Sequence, residues 1–301
     1  MIVVVIQKTK EFIHSQYVYK TSIAVSDIIW SLCFVTVYGF ASYGSVTPSY
    51  SMDCESFELH NDSADKLNST VVNVSCHFVH NQTSSNYFVF FGITAILMKV
   101  SLVVSLVSLV FAAGDRYFAL AFPVKYKTKN TVKMAKKISV VTWILSAFET
   151  VFTLVYGFWQ NGGCPTFFLQ PTACESPQQI FVTILLFVLF SLLWILTILT
   201  LKSLVKSYKR SFKLNRSSKK NIEKQMTITL MFMVIAFTLS LSPTLYNHIK
   251  FILKKSNAYS FVGSNQTAIY FLSTNSLWNI LIYNVLNKKF RLAFKALFKK
   301  V

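Results

Sequence analysis

The sequence predicts an all-α protein that crosses a membrane several times. Three observations carry that expectation: apolar runs of bilayer length, positive charge confined to alternate connections, and glycosylation signals on the opposite side. The chain has 301 residues, 53% of them hydrophobic, with a mean hydropathy of +0.48. Soluble domains are close to half apolar as well, so the distribution decides more than the share. Runs of about 20 mostly apolar residues match a bilayer-spanning helix. They cover 21–43, 87–113, 138–158, 179–201, 226–249 and 266–285. Only helices and closed barrels satisfy every backbone group in lipid. These runs are too long and too continuously apolar for barrel strands.

The net charge of +19 would also suit a nucleic-acid binder, but its placement argues otherwise. Lys and Arg number 3 in 7–20, 7 in 115–137, 9 in 202–225 and 6 in 286–301, which makes 25. The other side holds Lys66, Lys250, Lys254 and Lys255, and Lys99 lies inside a run. That bias places the basic segments in the cytoplasm. A solvated charged surface predicts no such alternation. Asn61, Asn68, Asn73, Asn81 and Asn265 each open an Asn-x-Ser/Thr triplet, and all fall on the outer side. Asn215 also matches but sits among cytoplasmic cations.

Cys54, Cys76, Cys164 and Cys174 lie in outer connections, where oxidising conditions favour two disulfides. Four cysteines allow three pairings, and the sequence does not choose. Cys33 lies within a run and reads as a buried thiol. The whole chain, 1–301, reads as one transmembrane domain without internal repeats. Residues 44–86 form its one long outer loop, polar and carrying four of the glycosylation signals. Met1 to Ile6 is apolar but too short to cross a bilayer, so it reads as the tail of a helix whose start is missing. Residues 287–300 put Phe290, Ala293, Phe294 and Leu297 on one helical face and cations on the other, the pattern of an interfacial helix.

Polar groups within the runs are costly in lipid and therefore informative. Asp27, Ser105, Asn275 and Asn279 stand at similar depth, and the two Asn are four apart on one face. They fit a small cation or a water cluster. They fit equally a set of unrelated residues satisfied locally, and spacing leaves both readings open. At a cytoplasmic boundary stands Asp115-Arg116-Tyr117, an acid beside a cation that it can hold. Glu223, at the start of the 226–249 run, is a second partner for that Arg.

In this order and spacing the motifs resemble those of the rhodopsin-like, class A G-protein-coupled receptors. Asp27 is similar to the family's helix-two acid, and Asp115-Arg116-Tyr117 to its Asp-Arg-Tyr. Trp143 matches the helix-four Trp, and Phe237 and Pro243 the Phe and Pro of helix six. Asn279-Ile280-Leu281-Ile282-Tyr283 matches Asn-Pro-x-x-Tyr. The resemblance implies a seven-transmembrane-type bundle with about six complete spans here, an amphipathic helix eight at 287–300, and a plasma-membrane location. It implies that Arg116 pairs with Asp115 and Glu223 at rest, then releases to meet a heterotrimeric G protein. Tyr283 would swing inward. Asp27, Ser105, Asn275 and Asn279 would form a sodium pocket, with no other cofactor. The departures are an almost absent helix one, Ile280 for Pro, Leu241 for the helix-six Trp, no midspan Pro in helix five, and Phe91 where helix three usually begins with Cys. If the family's bridge to the second outer loop exists, the resemblance makes Cys76 the partner of Cys164 or Cys174.

Lys99 and Glu149 are the other charges inside the runs. Lys99 is either an anchor for an anionic ligand or half of an ion pair with Glu149, and unpaired charge at that depth favours the pair. Met98 falls on the Ser105 face, where amine-binding members carry Asp, which argues against a protonated-amine ligand. Ser273 stands near where light-sensing members carry their Lys, which argues against retinal. Tyr246, Asn247, His248 and Tyr270 are ligand candidates by position, alongside Met98 and Lys99. A transporter or channel would want a through-path of polar residues, and none is visible. A non-signalling fragment is the other competing reading. No nucleophile–base pair, metal-ligand spacing or phosphate-binding Gly loop supports an enzyme, and the five His are scattered.

Overall fold

The computed structural model describes residues 15–43, 51–57, 73–79, 85–128, 131–160, 177–212, 218–253 and 258–286. Six long helices cover all six apolar runs: α1 Ser15–Tyr43, α2 Ser85–Ala121, α4 Thr131–Gln160, α5 Pro177–Phe212, α6 Ser218–Ile252 and α7 Ala258–Leu286. A short α3, Pro123–Thr128, follows α2 directly. Each long helix overshoots its apolar run at one or both ends, because polar flanks extend a helix in water once the membrane segment has nucleated it. Among the described residues four segments are long and apolar enough to cross a bilayer: Ser15–Thr36, Ile96–Ala121, Thr183–Ser207 and Gln225–Lys250.

The segment 44–86, expected as a long loop, contains a ribbon. Strands β1 Ser51–Phe57 and β2 Asn73–Val79 pair antiparallel within it. β1 alternates polar and apolar residues over Ser51–Glu55 and β2 over Asn73–Phe78, the period-two pattern of a strand, which a reading of 44–86 as a polar loop passes over. The proposed helix-one remnant at 1–6 and the amphipathic helix at 287–300 lie outside the described residues, as do Asn61, Asn68, Asn81, Cys164 and Cys174. Asn265 falls within α7 and Asn73 opens β2.

The chain divides into two compact units, Met1–Phe34 with Thr94–Val301, and Val35–Ile93. In the first, α2 supplies the core. Val104, Leu106 and Ala113 are fully buried, as is Leu241 of α6. α6 packs most extensively against α7. By contrast Val140, Val141, Ile144, Leu145, Phe148, Val151, Phe152 and Val155 all stand exposed on α4. A face so apolar and so bare is tolerable against lipid but not against water. α5 presents a similar face through Phe181, Ile184, Val188 and Ile195.

Polar side chains stitch the helices together. Trp143 of α4 donates its indole N–H to the Ser22 hydroxyl of α1 at 3.0 Å, and Ser108 of α2 donates to the same oxygen at 3.3 Å. Trp30 of α1 donates to Ser273 of α7 at 3.1 Å. Ser240 and Thr274 join α6 to α7 at 3.3 Å. Thr200 of α5 donates to the Ala113 carbonyl of α2 at 3.3 Å.

Candidate functional site

Two clusters stand out, one around Asp27 and one around Asp115. In the first, Asn279 donates from Nδ2 to Asp27 Oδ2 at 2.7 Å, and Asn275 donates from Nδ2 to Oδ1 at 3.5 Å. Ser276 donates to the Asp27 backbone carbonyl at 3.4 Å. The helical spacing of Asn275 and Asn279 makes this possible, since residues four apart share a face. Both Asn are buried. With its nitrogen turned to Asp27, Asn275 leaves Oδ1 buried and without a hydrogen-bond partner among the described residues. Ser105 does not bond Asp27. Its hydroxyl shares a 2.6 Å hydrogen bond with Ser26, the next residue along α1. The site therefore offers a carboxylate, an orphaned amide oxygen and nearby hydroxyls. This is a hard-oxygen set with one acid, the donor chemistry that suits a small alkali cation or water.

The second cluster lies near the C-terminal end of α2. Asp115 accepts from Ser15 Oγ at 2.8 Å, and from the Tyr126 hydroxyl at 3.0 Å on Oδ1 and 3.1 Å on Oδ2. Ser15 and Tyr126 are themselves 2.9 Å apart. The expected Asp115–Arg116 pair is present but long, with Nη2 at 3.8 Å from Oδ2. Arg116 is buried. Burial, reinforced by the charge of Asp115, holds the Tyr126 phenol above its ordinary pKa. Tyr126 is therefore a neutral donor at physiological pH. Tyr117 is half-buried and edge-on to Phe118 and Phe122. Glu223 lies on α6 and Tyr283 on α7, but both side chains fall outside the described set.

The outer ligand candidates separate. Met98 and His248 are buried, and His248 Nδ1 lies 3.3 Å from the Thr183 hydroxyl of α5. Asn247 is also buried, and Thr244 one turn below has a buried hydroxyl without a partner among the described residues. Lys99 donates to Glu149 at 3.1 Å, so the ion pair between neighbouring helices is the arrangement formed. Tyr246 and Tyr270 stand apart from this group. They are 56% and 50% exposed, on the outward faces of α6 and α7. Tyr246 lies beneath the Lys250 ammonium, and Tyr270 meets Phe34 edge-on.

A sequence model of the family described as "7 transmembrane receptor (rhodopsin family)" matches residues 63–283. The chain belongs to that family. No curated protein matches it. The family match opens after α1, so the correspondence of α1 with the family's helix two rests on Asp27 and its bonds to α7. This rhodopsin-family receptor is thus a multi-pass membrane protein built on apolar helices.

Sequence reasoning missed four residues of the receptor's clusters. Ser15 and Tyr126 hold Asp115, yet both sit outside any motif and meet it only through the fold. Lys20 is 3% exposed and within electrostatic range of Arg116, with its ammonium 5.5 Å from the Tyr17 ring centre. It had been counted among the cytoplasmic cations, but α1 begins earlier than its apolar run and carries Lys20 inside. Gln16 is fully buried with neither amide atom bonded among the described residues.

Proposed function

We propose that this receptor resides in the plasma membrane and transmits the binding of an extracellular ligand to a heterotrimeric G protein, with Arg116 as the switch. The supporting observation is the place of Arg116: buried at the cytoplasmic end of α2, with Nη2 at 3.8 Å from the Asp115 carboxylate. Ser15 and Tyr126 occupy that carboxylate at hydrogen-bond distance. Glu223 and Tyr283 are the further switch residues of this reading. Glycosylation at Asn61, Asn68, Asn73, Asn81 and Asn265 belongs to it as well.

Asp27, Asn275 and Asn279 are the residues that would hold a sodium ion, with Ser105 and Ser26 at the margin. The bare Asn275 Oδ1 supports this, because a buried acceptor without a donor is costly unless water or a cation meets it. When bound, the ion would supply a positive charge against the carboxylate. On the outer side Met98 and His248 are the inward-facing candidates for ligand contact. The ligand class excludes protonated amines and retinal on this reading, since Met98 offers no acid to an amine and Ser273 no amine to a retinal aldehyde.

The test is basal and agonist-free G-protein activation, normalised to surface display, for wild type and Arg116→Ala. Loss of signal in the variant at equal display is the expected result. Undiminished signalling from Arg116→Ala would overturn the reading.

A further inference from the structure

The register of the outer ribbon sets Cys54 directly opposite Cys76, with Ser51 opposite Val79 at one end and Phe57 opposite Asn73 at the other. Residues opposed in an antiparallel ladder have Cα atoms about 4.5–5.5 Å apart, depending on which kind of pair they form. They also share a face of the ribbon. A disulfide needs Cα atoms about 4.4–6.8 Å apart, so either kind of pair falls inside the window. We infer that Cys54 and Cys76 form a disulfide that staples this ribbon.

The ribbon itself supplies the second argument. An isolated two-stranded hairpin is at best marginally stable in water. Register in a hairpin is ordinarily fixed by a turn of about two to five residues. Here the connection is residues 58–72, far longer, and cannot set the register by its own geometry. A slip by one residue would turn every side chain to the opposite face. A covalent link at the centre of both strands removes that freedom. By the charge pattern of the chain, the ribbon lies on the side away from the basic segments, where disulfides form and persist.

Two thiols each give up a proton as the sulfur–sulfur bond forms. The two electrons pass to the disulfide of a protein thiol–disulfide oxidase, whose own bond breaks and leaves as two thiols. Once Cys76 is committed to Cys54, the resemblance-based pairing of Cys76 with Cys164 or Cys174 is closed. Those two remain for each other. The inference does not depend on the signalling role.

The experiment is peptide mapping of the full chain isolated from the cell surface. Free thiols are alkylated before unfolding, glycans are removed, and the protein is digested without reductant. A Cys54–Cys76 cross-linked peptide that disappears on reduction is the expected result. Alkylated Cys54 or Cys76, or a peptide joining Cys76 to Cys164 or Cys174, overturns the inference. In parallel, Cys54→Ser, Cys76→Ser and the double variant should lose the same fraction of surface display, because all three lose one bond. A much larger loss for Cys76→Ser than for Cys54→Ser would assign Cys76 a different partner. Should none of the variants reach the surface, the wild-type map still decides.

Discussion

Asp115 has one neighbour of opposite charge and two neutral donors, and the neutral donors are nearer. A carboxylate that already accepts several hydrogen bonds gains less from a cation at 3.8 Å. The Lys99–Glu149 pair is the opposite case: close, buried at Lys99, and with Glu149 Oε2 lacking a partner. Breaking a buried pair strands a charge and costs about 3–5 kcal/mol. Lys99→Met and Glu149→Gln should therefore each lower the thermal midpoint of the solubilised receptor. The double variant should recover most of the loss. A double variant as damaged as the sum of the singles would show that the pair is not what the helices rely on.

α6 shows how an element accommodates a residue that ought to break it. Pro243 lies inside the helix and has no N–H, so the carbonyl four residues back, that of Leu239, loses its helical donor. Ser242 donates its hydroxyl to that same carbonyl at 3.0 Å. In lipid such a repair matters more, because no water is at hand to make it. Ser242→Ala leaves the Leu239 carbonyl exposed to apolar surroundings and should destabilise the receptor by about 1–2 kcal/mol, read by thermal unfolding. Ser242→Thr should retain the bond. Equal losses in both variants would assign the effect to packing instead. The elements themselves were legible in the sequence wherever length and apolarity coincide, and all six runs became helices. The ribbon was legible only as two short alternating stretches, Ser51–Glu55 and Asn73–Phe78, and not as a pair joined across residues 58–72. Pairing across that distance is decided by the register of two strands, which no local pattern encodes.

For the whole molecule, the sodium reading predicts a stability that depends on a particular ion. Anything that binds the folded state alone raises the thermal midpoint by mass action. Sodium chloride should raise the midpoint of wild type above that in choline chloride at equal ionic strength, and Asp27→Asn should abolish the difference. Equal midpoints in both salts for wild type would remove the ion from the account. The long-range half of this cluster was readable because Asp27, Asn275 and Asn279 follow a family order. Ser105 was only half right, since it meets Ser26 and not the carboxylate. The cytoplasmic cluster was readable at Asp115 and Arg116 but not at Ser15 or Tyr126, whose contribution exists only once α1 and α3 are folded against α2. The outward setting of Tyr246 and Tyr270 was hidden for a simpler reason. Residue count fixes depth along a helix, while the side it faces depends on which neighbours it packs against.

The Ser22 hydroxyl serves an indole from α4 and a hydroxyl from α2 at once. Such sharing constrains descent as much as stability. A lineage that loses Ser22 leaves Trp143 and Ser108 facing a gap, and no single replacement at either position answers both losses. The three sites therefore form one heritable unit. Relatives should either keep all three or have exchanged them together, and a relative with Ala at the first position and Trp at the third would carry the repair somewhere else in its sequence.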